Sequence, residues 1–394
     1  MSLRGFSTAS ARREFALLRT RPWDLAMISW VPLLAVLLIW WIFSAGLPER
    51  LPVGVLDQDR SALSRQIVRF LDATPGLRVV QRFDDEGAMA RALTSGAVDA
   101  AVQLPRDLER EVKQGRTGQV VLLHNAQLGT HSSLIQRDVR TVVATVSGGV
   151  ELAVRNKRGE SMIAARATME PLKAGTVALF NTSGDYEQFL GAALIPALLH
   201  ILAMTAGAWA VGRELRDRSI GGWLGAAPRW HEALAALAGK LALPFASLSL
   251  VGIAAMLWIT AGRGWHPVGS LGWTLFALVV FLALSIALGG FVAALTRSLR
   301  TALSATGFIT APAFAFGGAG FPLVAMPALA QLWAALLPYT HYIRVQMEQL
   351  QMGAPLAYSA ATPLWMVLGS AVLLAATATA LGRAARAPDS WGGR

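Results

Sequence analysis

LAMISWVPLLAVLLIWWIFSAGLP, residues 25–48, runs for 24 residues without a charge. A hydrocarbon core about 30 Å thick takes about 20 apolar helical residues to cross, so this stretch is long enough to span a bilayer. Five more uncharged runs follow: Gln188–Gly212, Leu241–Gly262, Pro267–Thr296, Thr301–Thr340 and Gln349–Gly382. Thr301–Thr340 is too long for one crossing, and Pro312, Pro322, Pro327 and Pro338 interrupt it. It reads as one span followed by short re-entrant or interfacial pieces. Between the first run and the second, residues 49–187 look like ordinary soluble sequence.

The fold class expected is a polytopic α-helical membrane protein with six transmembrane helices and an inserted extracytoplasmic α/β (mixed) domain. The expected division is an amphipathic interfacial helix over 1–22, a first transmembrane helix over 23–46, and the inserted domain over 47–186. The remaining helices fall in 187–394, at about 188–212, 240–261, 269–295, 301–318 and 362–382. A cytoplasmic coupling loop occupies 213–239, and re-entrant or external helices occupy 319–350.

Composition and charge agree. Hydrophobic residues make up 54% of the chain and charged residues 15%, against roughly 25% charged in soluble domains. The net charge of +11 could suggest nucleic acid, but its distribution argues otherwise. With a cytoplasmic amino terminus, segments 1–24, 213–240, 296–300 and 383–394 hold 15 Lys/Arg against 6 Asp/Glu. The insert holds 18 against 17, and the short external loops only Arg263, Arg344 and Glu348. That is the positive-inside bias of membrane topology rather than a nucleic-acid footprint. It places both termini in the cytoplasm of a multi-pass protein of a bacterial inner membrane. There is no cysteine, which excludes disulfides and thiolate metal sites. The first apolar run lacks a small-residue cleavage site and reads as a retained signal-anchor.

Within the insert, strands alternate with helices. LPVGVLDQD (51–59), LRVVQRF (77–83), VDAAVQLP (98–105) and QVVLLHN (119–125) read as strands. Ser61 is placed to cap a helix reaching Leu71. Residues 84–96 form a helix with acids in its first turn and a Gly stop, residues 106–115 a helix ending at Gly115, and 129–158 one long helix. His124 and His131 lie seven apart with no third ligand, and read as packing or surface residues. Residues 160–187, with Pro171, Gly175 and Gly184, read as a half-amphipathic return to the membrane.

Two chemistries are missing from the sequence. No Asp or Glu lies inside the six runs, and His200 is the single titratable group within them. Ion-coupled carriers keep such groups in spite of their cost in lipid. Nothing matches G-x-x-x-x-G-K-[ST], so no nucleotide site is read here. Nor is there an identifiable Ser-His-Asp or paired-carboxylate arrangement. No catalytic residue and no metal ligand is assigned.

The layout resembles the membrane subunit of ABC-2-type exporters, in the branch with a large extracytoplasmic domain between the first two spans. LPVGVLDQDRSALSRQIVRFLDATPGL (51–77) is similar to the start of that domain, and GAVDAAVQLPRDLEREVKQGR (96–116) to its G-x-V-D-A pattern. FNTSGDYEQFLGAALIPALLHI (180–201) resembles the family's approach to the second span. In VGRELRDRSIGGWLGAAPRWHEALAALAGK (211–240), Arg213, Glu214, Pro228, Trp230, Gly239 and Lys240 match the family's coupling segment. Ser219-Ile220 stands where Gly-Thr is usual, and Gly222 where Glu is usual. GGAGFPLVAMPALAQLWAALLPYTHYI (317–343) is similar to the stretch after the fifth span, through Gly320, Pro322, Met326, Pro327 and Pro338.

The resemblance implies a permease without its own ATPase site, paired with an ABC ATPase subunit that binds the ATP and Mg, and with a second permease copy. A periplasmic membrane-fusion adaptor is a further expected partner, beside the bilayer; nucleic acid is not. Arg213, Glu214, Asp217 and Arg218, with Trp223 and Leu224 as apolar anchor, are the candidate ATPase-coupling residues. His200, Pro312, Phe314, Phe316, Gly317, Gly318 and Pro322 are the candidate translocation path and outer gate. The uncharged span interiors favour a hydrophobic or amphipathic cargo (drug, lipid or secondary metabolite). The competing readings are a non-transporting receptor or scaffold with a ligand-binding extracytoplasmic domain, and a proton-coupled carrier using His200.

Overall fold

The computed structural model describes residues 2–114, 116–125, 129–157, 181, 185–225 and 227–387. The chain divides into two compact units, Leu47–Val177 and the combination of Met1–Gly46 with Ala178–Arg394. The helix stop expected at Gly115 and most of the return segment expected over 160–187 lie outside the described residues.

The Leu47–Val177 unit is built on four strands, β1 (Leu51–Asp57), β2 (Leu77–Phe83), β3 (Ala100–Leu104) and β4 (Val121–His124), in the order β2-β1-β3-β4. β1 pairs in parallel with both neighbours, and β4 closes the sheet antiparallel to β3. The central strand LPVGVLD buries both its faces, as a helix-covered parallel strand must. Val53, Val55, Ala100 and Val102 share one core with Ile67 and Leu71 of α4 (Ala62–Asp72) and Ile135 and Val139 of α7 (Gly129–Lys157). Leu56, Phe83 and Ala101 share another with Met89 and Ala92 of α5 (Glu86–Ser95). Local capping sets the helix starts. The Ser61 hydroxyl accepts from the Ser64 amide, and the Asp85 carboxylate from the Ala88 amide. Gly96, at φ +73°, ends α5. The short α6 (Leu108–Lys113) joins β3 to β4.

The other unit opens with α1 (Leu3–Thr20), capped by Ser2. Next come α2 (Pro22–Ile28) and α3 (Trp30–Phe43), bent at 41° to each other. Pro32 explains the bend. It offers no amide to the Ile28 carbonyl, and the Ser247 hydroxyl donates to that carbonyl instead. Among the described residues, four continuous helices are long and apolar enough to cross a membrane: α8 (Glu187–Arg216), α10 (Trp230–Gly262), α11 (Leu271–Thr296) and α16 (Leu356–Ala385). The bent pair makes five candidates if it counts as one span.

The expected continuous span over 301–318 differs. It is two pieces, α12 (Leu299–Thr310) and α13 (Ala313–Phe316), parted at Ala311-Pro312. Pro312 cannot continue a helical hydrogen-bond ladder, and 12 residues of helix reach only about 18 Å. Beyond it, α14 (Ala328–Leu336) and α15 (Pro338–Gln346) are short. The coupling loop expected over 213–239 is also narrower. α8 runs to Arg216 and α10 starts at Trp230, leaving a connection that carries α9 (Ile220–Leu224).

α8 and α11 are the centre of this unit and touch through glycines. A Cβ on Gly207 would collide with the Ile286 carbonyl, and one on Gly289 with the Met204 carbonyl. Small residues permit such backbone approach where lipid supplies no hydrophobic drive between helices. Gly207→Ala and Gly289→Ala are each expected to lower the thermal unfolding midpoint in detergent, at an overpacking cost of about 1–3 kcal/mol. Gly222→Ala, with no neighbour within 4 Å, is expected to leave it unchanged or slightly raised. Equal midpoints for all three variants would contradict the packing argument.

Candidate functional site

The buried stripe of α1 is Ser10, Glu14 and Leu18, one residue per turn, so a carboxylate faces inward. Glu14 meets two cations from different helices. Arg213 Nη2 donates to both Glu14 oxygens, at 2.6 and 2.7 Å, and Lys240 Nζ donates to Oε2 at 2.6 Å. Lys240 also donates to Glu214 Oε1 at 2.7 Å, and Arg13 grips both Glu214 oxygens at 2.9 and 3.0 Å. Arg213 Nη1 reaches Asp24 of α2 at 2.6 Å, and the Ser219 hydroxyl donates to Glu214. Glu14, Arg213, Glu214 and Lys240 are each no more than 2% exposed. Three acids (Glu14, Asp24, Glu214) face three bases (Arg13, Arg213, Lys240), so the cluster is electrically neutral.

Trp223 of α9 is also drawn in. Its indole N–H donates to Ser10 at 2.8 Å, and Lys240 Nζ sits 4.8 Å from its ring centroid. Gly239 lets α10 lie against the Ser7 carbonyl of α1. At the exposed edge, Arg21 and Arg216 both donate to Asp217, at 3.1 and 2.8 Å. The hydrogen bond from Arg216, joined by that from Arg21, holds the Asp217 carboxyl below the usual carboxylate range.

The candidate coupling residues therefore separate into two groups. Arg213, Glu214, Trp223 and Leu224 are buried against α1 and α10, so their side chains are not presented to a partner. Asp217 and Arg218 are exposed, as are Gly222 and Gly225. Sequence reading missed Glu14, Asp24 and Arg13, the other halves of these pairs. The only local signal was a carboxylate in an otherwise basic amphipathic helix.

The candidate path residues converge on α15. His200 is fully buried, its Nδ1 2.9 Å from the Ser285 hydroxyl, and its ring lies against Phe281. The Ser285 hydroxyl also lies 2.8 Å from the Phe281 carbonyl. Phe281 stacks on Tyr342 at 4.9 Å. Gly317 abuts the Tyr339 ring, where a Cβ would collide, and Gly318 takes φ +86°. Phe314 and Phe316 are half-buried against the core, Pro312 precedes α13, and Pro322 is exposed before a short 3-10 turn.

The opposite end of the unit carries a second ion pair. Glu187, 2% exposed, accepts from Arg263 Nε at 3.1 Å and from the Trp40 indole at 3.0 Å. Nearby, Pro196 deprives the Ala192 carbonyl of its helical donor, and Gln346 supplies one at 2.8 Å. Tyr339 and Gln351 donate to the Ala193 and Gln188 carbonyls, at 2.9 and 3.0 Å.

A sequence model of a family described as ABC-2 family transporter protein matches residues 22–379, about nine-tenths of the chain. No curated protein matches it.

Removing one member of a buried ion cluster leaves its partner uncompensated, at a cost of about 3–5 kcal/mol. Lys240→Ala and Glu14→Ala are expected to destabilise by that order in detergent melts. Arg344→Ala, which breaks a surface i,i+4 pair with Glu348, is expected to cost less than about 1 kcal/mol. Glu14→Ala should also speed tryptic cleavage at Arg12, Arg13 and Arg19. Unaltered cleavage there would mean that the cluster does not hold α1 in place.

Proposed function

The chain belongs to the ABC-2 family of transporter proteins, and we propose that it is the membrane half of an exporter that moves a hydrophobic or amphipathic molecule outward. A permease of this family works with an ABC ATPase, which carries the nucleotide site. The bundle end bearing α1 is the cytoplasmic end in this reading, and the Leu47–Val177 unit is extracytoplasmic, in a bacterial inner membrane.

One observation carries the coupling part of this reading: the neutral buried cluster ties α1, α2, the end of α8 and the start of α10 to one another. A force applied to the short connection between α8 and α10 would reach three other helices without first bending a flexible loop. Asp217, Arg218 and the Gly222–Gly225 corner are the exposed part of that connection, and they form the docking surface for the ATPase. Arg213, Glu214 and Trp223 act behind it, by holding the connection to α1. This division of labour suits a segment that lacks the usual Gly-Thr and Glu at 219–222, because docking then rests on different side chains.

The path for cargo runs between copies rather than through one. α8 and α11 approach through Gly207 and Gly289 and leave no channel between them. A second copy is therefore part of the working unit. In the assembled pair, the segment from Pro312 to Pro322, hinged at Gly317-Gly318, is the outer gate and bears on Tyr339. An adaptor that meets the extracytoplasmic units is a further partner in this reading.

In inside-out vesicles holding this chain and its ATPase, a lipophilic dye is expected to be taken up with ATP and not with a non-hydrolysable analogue. Arg218→Glu, and deletion of 217–224, should abolish co-purification of the ATPase, whereas Arg344→Ala should not. Uphill transport by the chain alone in liposomes would overturn the proposal.

A further inference from the structure

Beside the charge cluster lies a cavity of about 310 Å³, walled by α1, α2, α8, α10 and α12, near the lower bound of about 300 Å³ for small-molecule sites. Its α8 wall is one helical face, Leu202, Ala206, Trp209 and Arg213. Three features say what fits there. First, the wall is mostly apolar, with Thr205 along α8 and its charged residues, Glu14, Asp24 and Arg213, at one end. Second, two residues that line it each carry a buried donor with no hydrogen-bond partner among the described residues: Nε–H of Arg213, a residue 2% exposed, and the indole N–H of Trp209. A buried donor without an acceptor is costly, so an oxygen placed there gains what the protein leaves unmet. Third, the charge cluster is already balanced, so a full extra charge would be unfavourable and an uncharged acceptor is preferred.

The dimensions match a membrane lipid. From Leu202 to Arg213 is eleven residues of helix, about 16 Å, close to the half-thickness of a hydrocarbon core, about 15 Å. The rim includes Trp23 and Met27, 74% and 40% exposed, on the segment that opens the bent span. We propose that this cavity binds an acyl chain of a bilayer glycerolipid from the leaflet at the α1 end, with the chain lying along α8 and its ester carbonyl accepting from Arg213 and Trp209. Bound there, the lipid packs against α1 and α2 and completes the wall that the charge cluster begins. The site does not depend on which cargo is exported, and its absence would leave the permease assignment untouched.

The test uses the full chain, with its ATPase where the two co-purify, in nanodiscs containing phosphatidylcholine with a diazirine in the sn-2 chain. After irradiation, adducts are mapped by peptide mass spectrometry. Met27, Ala206 and Leu303 are expected to be labelled at least fivefold above Trp365, which stands 69% exposed on α16 and reports ordinary surrounding lipid. Ala206→Phe and Leu303→Phe fill the cavity from opposite walls, and each should reduce that excess to the Trp365 level. Trp209→Phe keeps the wall's shape but removes one donor, and should lower labelling about fivefold, as should an ether-linked probe lacking the carbonyl. Labelling at the lining residues equal to that at Trp365, or unchanged in both filled variants, overturns the site. Equal labelling by ester and ether probes overturns the role of the two donors. Because Trp209→Phe and the ether probe leave the packing intact, loss of folding in a filled variant does not block the decision.

Discussion

Charge removed from water must be balanced where it lies, and the α1 end of the helical unit is organised by that demand. Glu14, Arg213, Glu214 and Lys240 are almost wholly shielded, and each touches at least two oppositely charged partners. No pair among them could be buried singly without a desolvation penalty of several kcal/mol per ion. The cluster closes only when α1, α2, α8 and α10 are all present, so it works as a test of correct assembly as much as a source of stability. A helix that sequence alone assigns to the membrane surface thereby becomes part of the bundle. Its polar stripe turns inward, and Phe15 is left 53% exposed.

The same demand governs the backbone. Pro32 and Pro196 each orphan a carbonyl within an apolar segment, and in both cases a side chain from another helix supplies the donor. Ser247 on α10 serves Ile28, while Gln346 on α15 serves Ala192. Each repair also fixes a helix-to-helix register, because a hydroxyl or amide reaches only one carbonyl. Bends in this bundle are thus points of attachment. The break at Pro312 is different. Among the described residues no donor from another helix reaches it, and the chain turns back through Gly317 and Gly318 instead.

How much of this could be read in advance followed the range of the interaction. The inserted unit was legible because its signals are local: Ser61 and Asp85 as caps, Gly96 as a stop, and β-branched runs for the strands. The strand read over 77–83 and the long helix read from 129 fall where the structure has β2 and α7. The span read over 301–318 is divided at Pro312 because hydropathy counts apolar residues, whereas a helix is also broken by one missing amide. At the coupling segment the resemblance picked out Arg213, Glu214 and Lys240, but not what they do. Their partners on α1 and α2 lie 189 to 226 residues away in the chain, and spacing along the sequence carries no trace of such pairings. Burial divides the residues read as a docking surface: Arg213, Glu214, Trp223 and Leu224 are buried, and Asp217 and Arg218 are exposed.

The choice of cation at each position follows from geometry. Arg213 must reach two acids on two helices at once, and a planar guanidinium does so with one nitrogen toward Glu14 and another toward Asp24. A lysine there would be a single point charge and would release α1 or α2. Lys240 has the opposite task, lying between Glu14 and Glu214 below the Trp223 ring, where a compact ammonium fits and a fork would not. An arginine used in this way leaves one nitrogen without a partner, Nε. Here that buried donor belongs to a residue that lines the cavity beside Trp209. The residue that locks the helices together is therefore also one that lines the space where a lipid would lie. Any displacement of α1 that loosens Glu14 would change both at once.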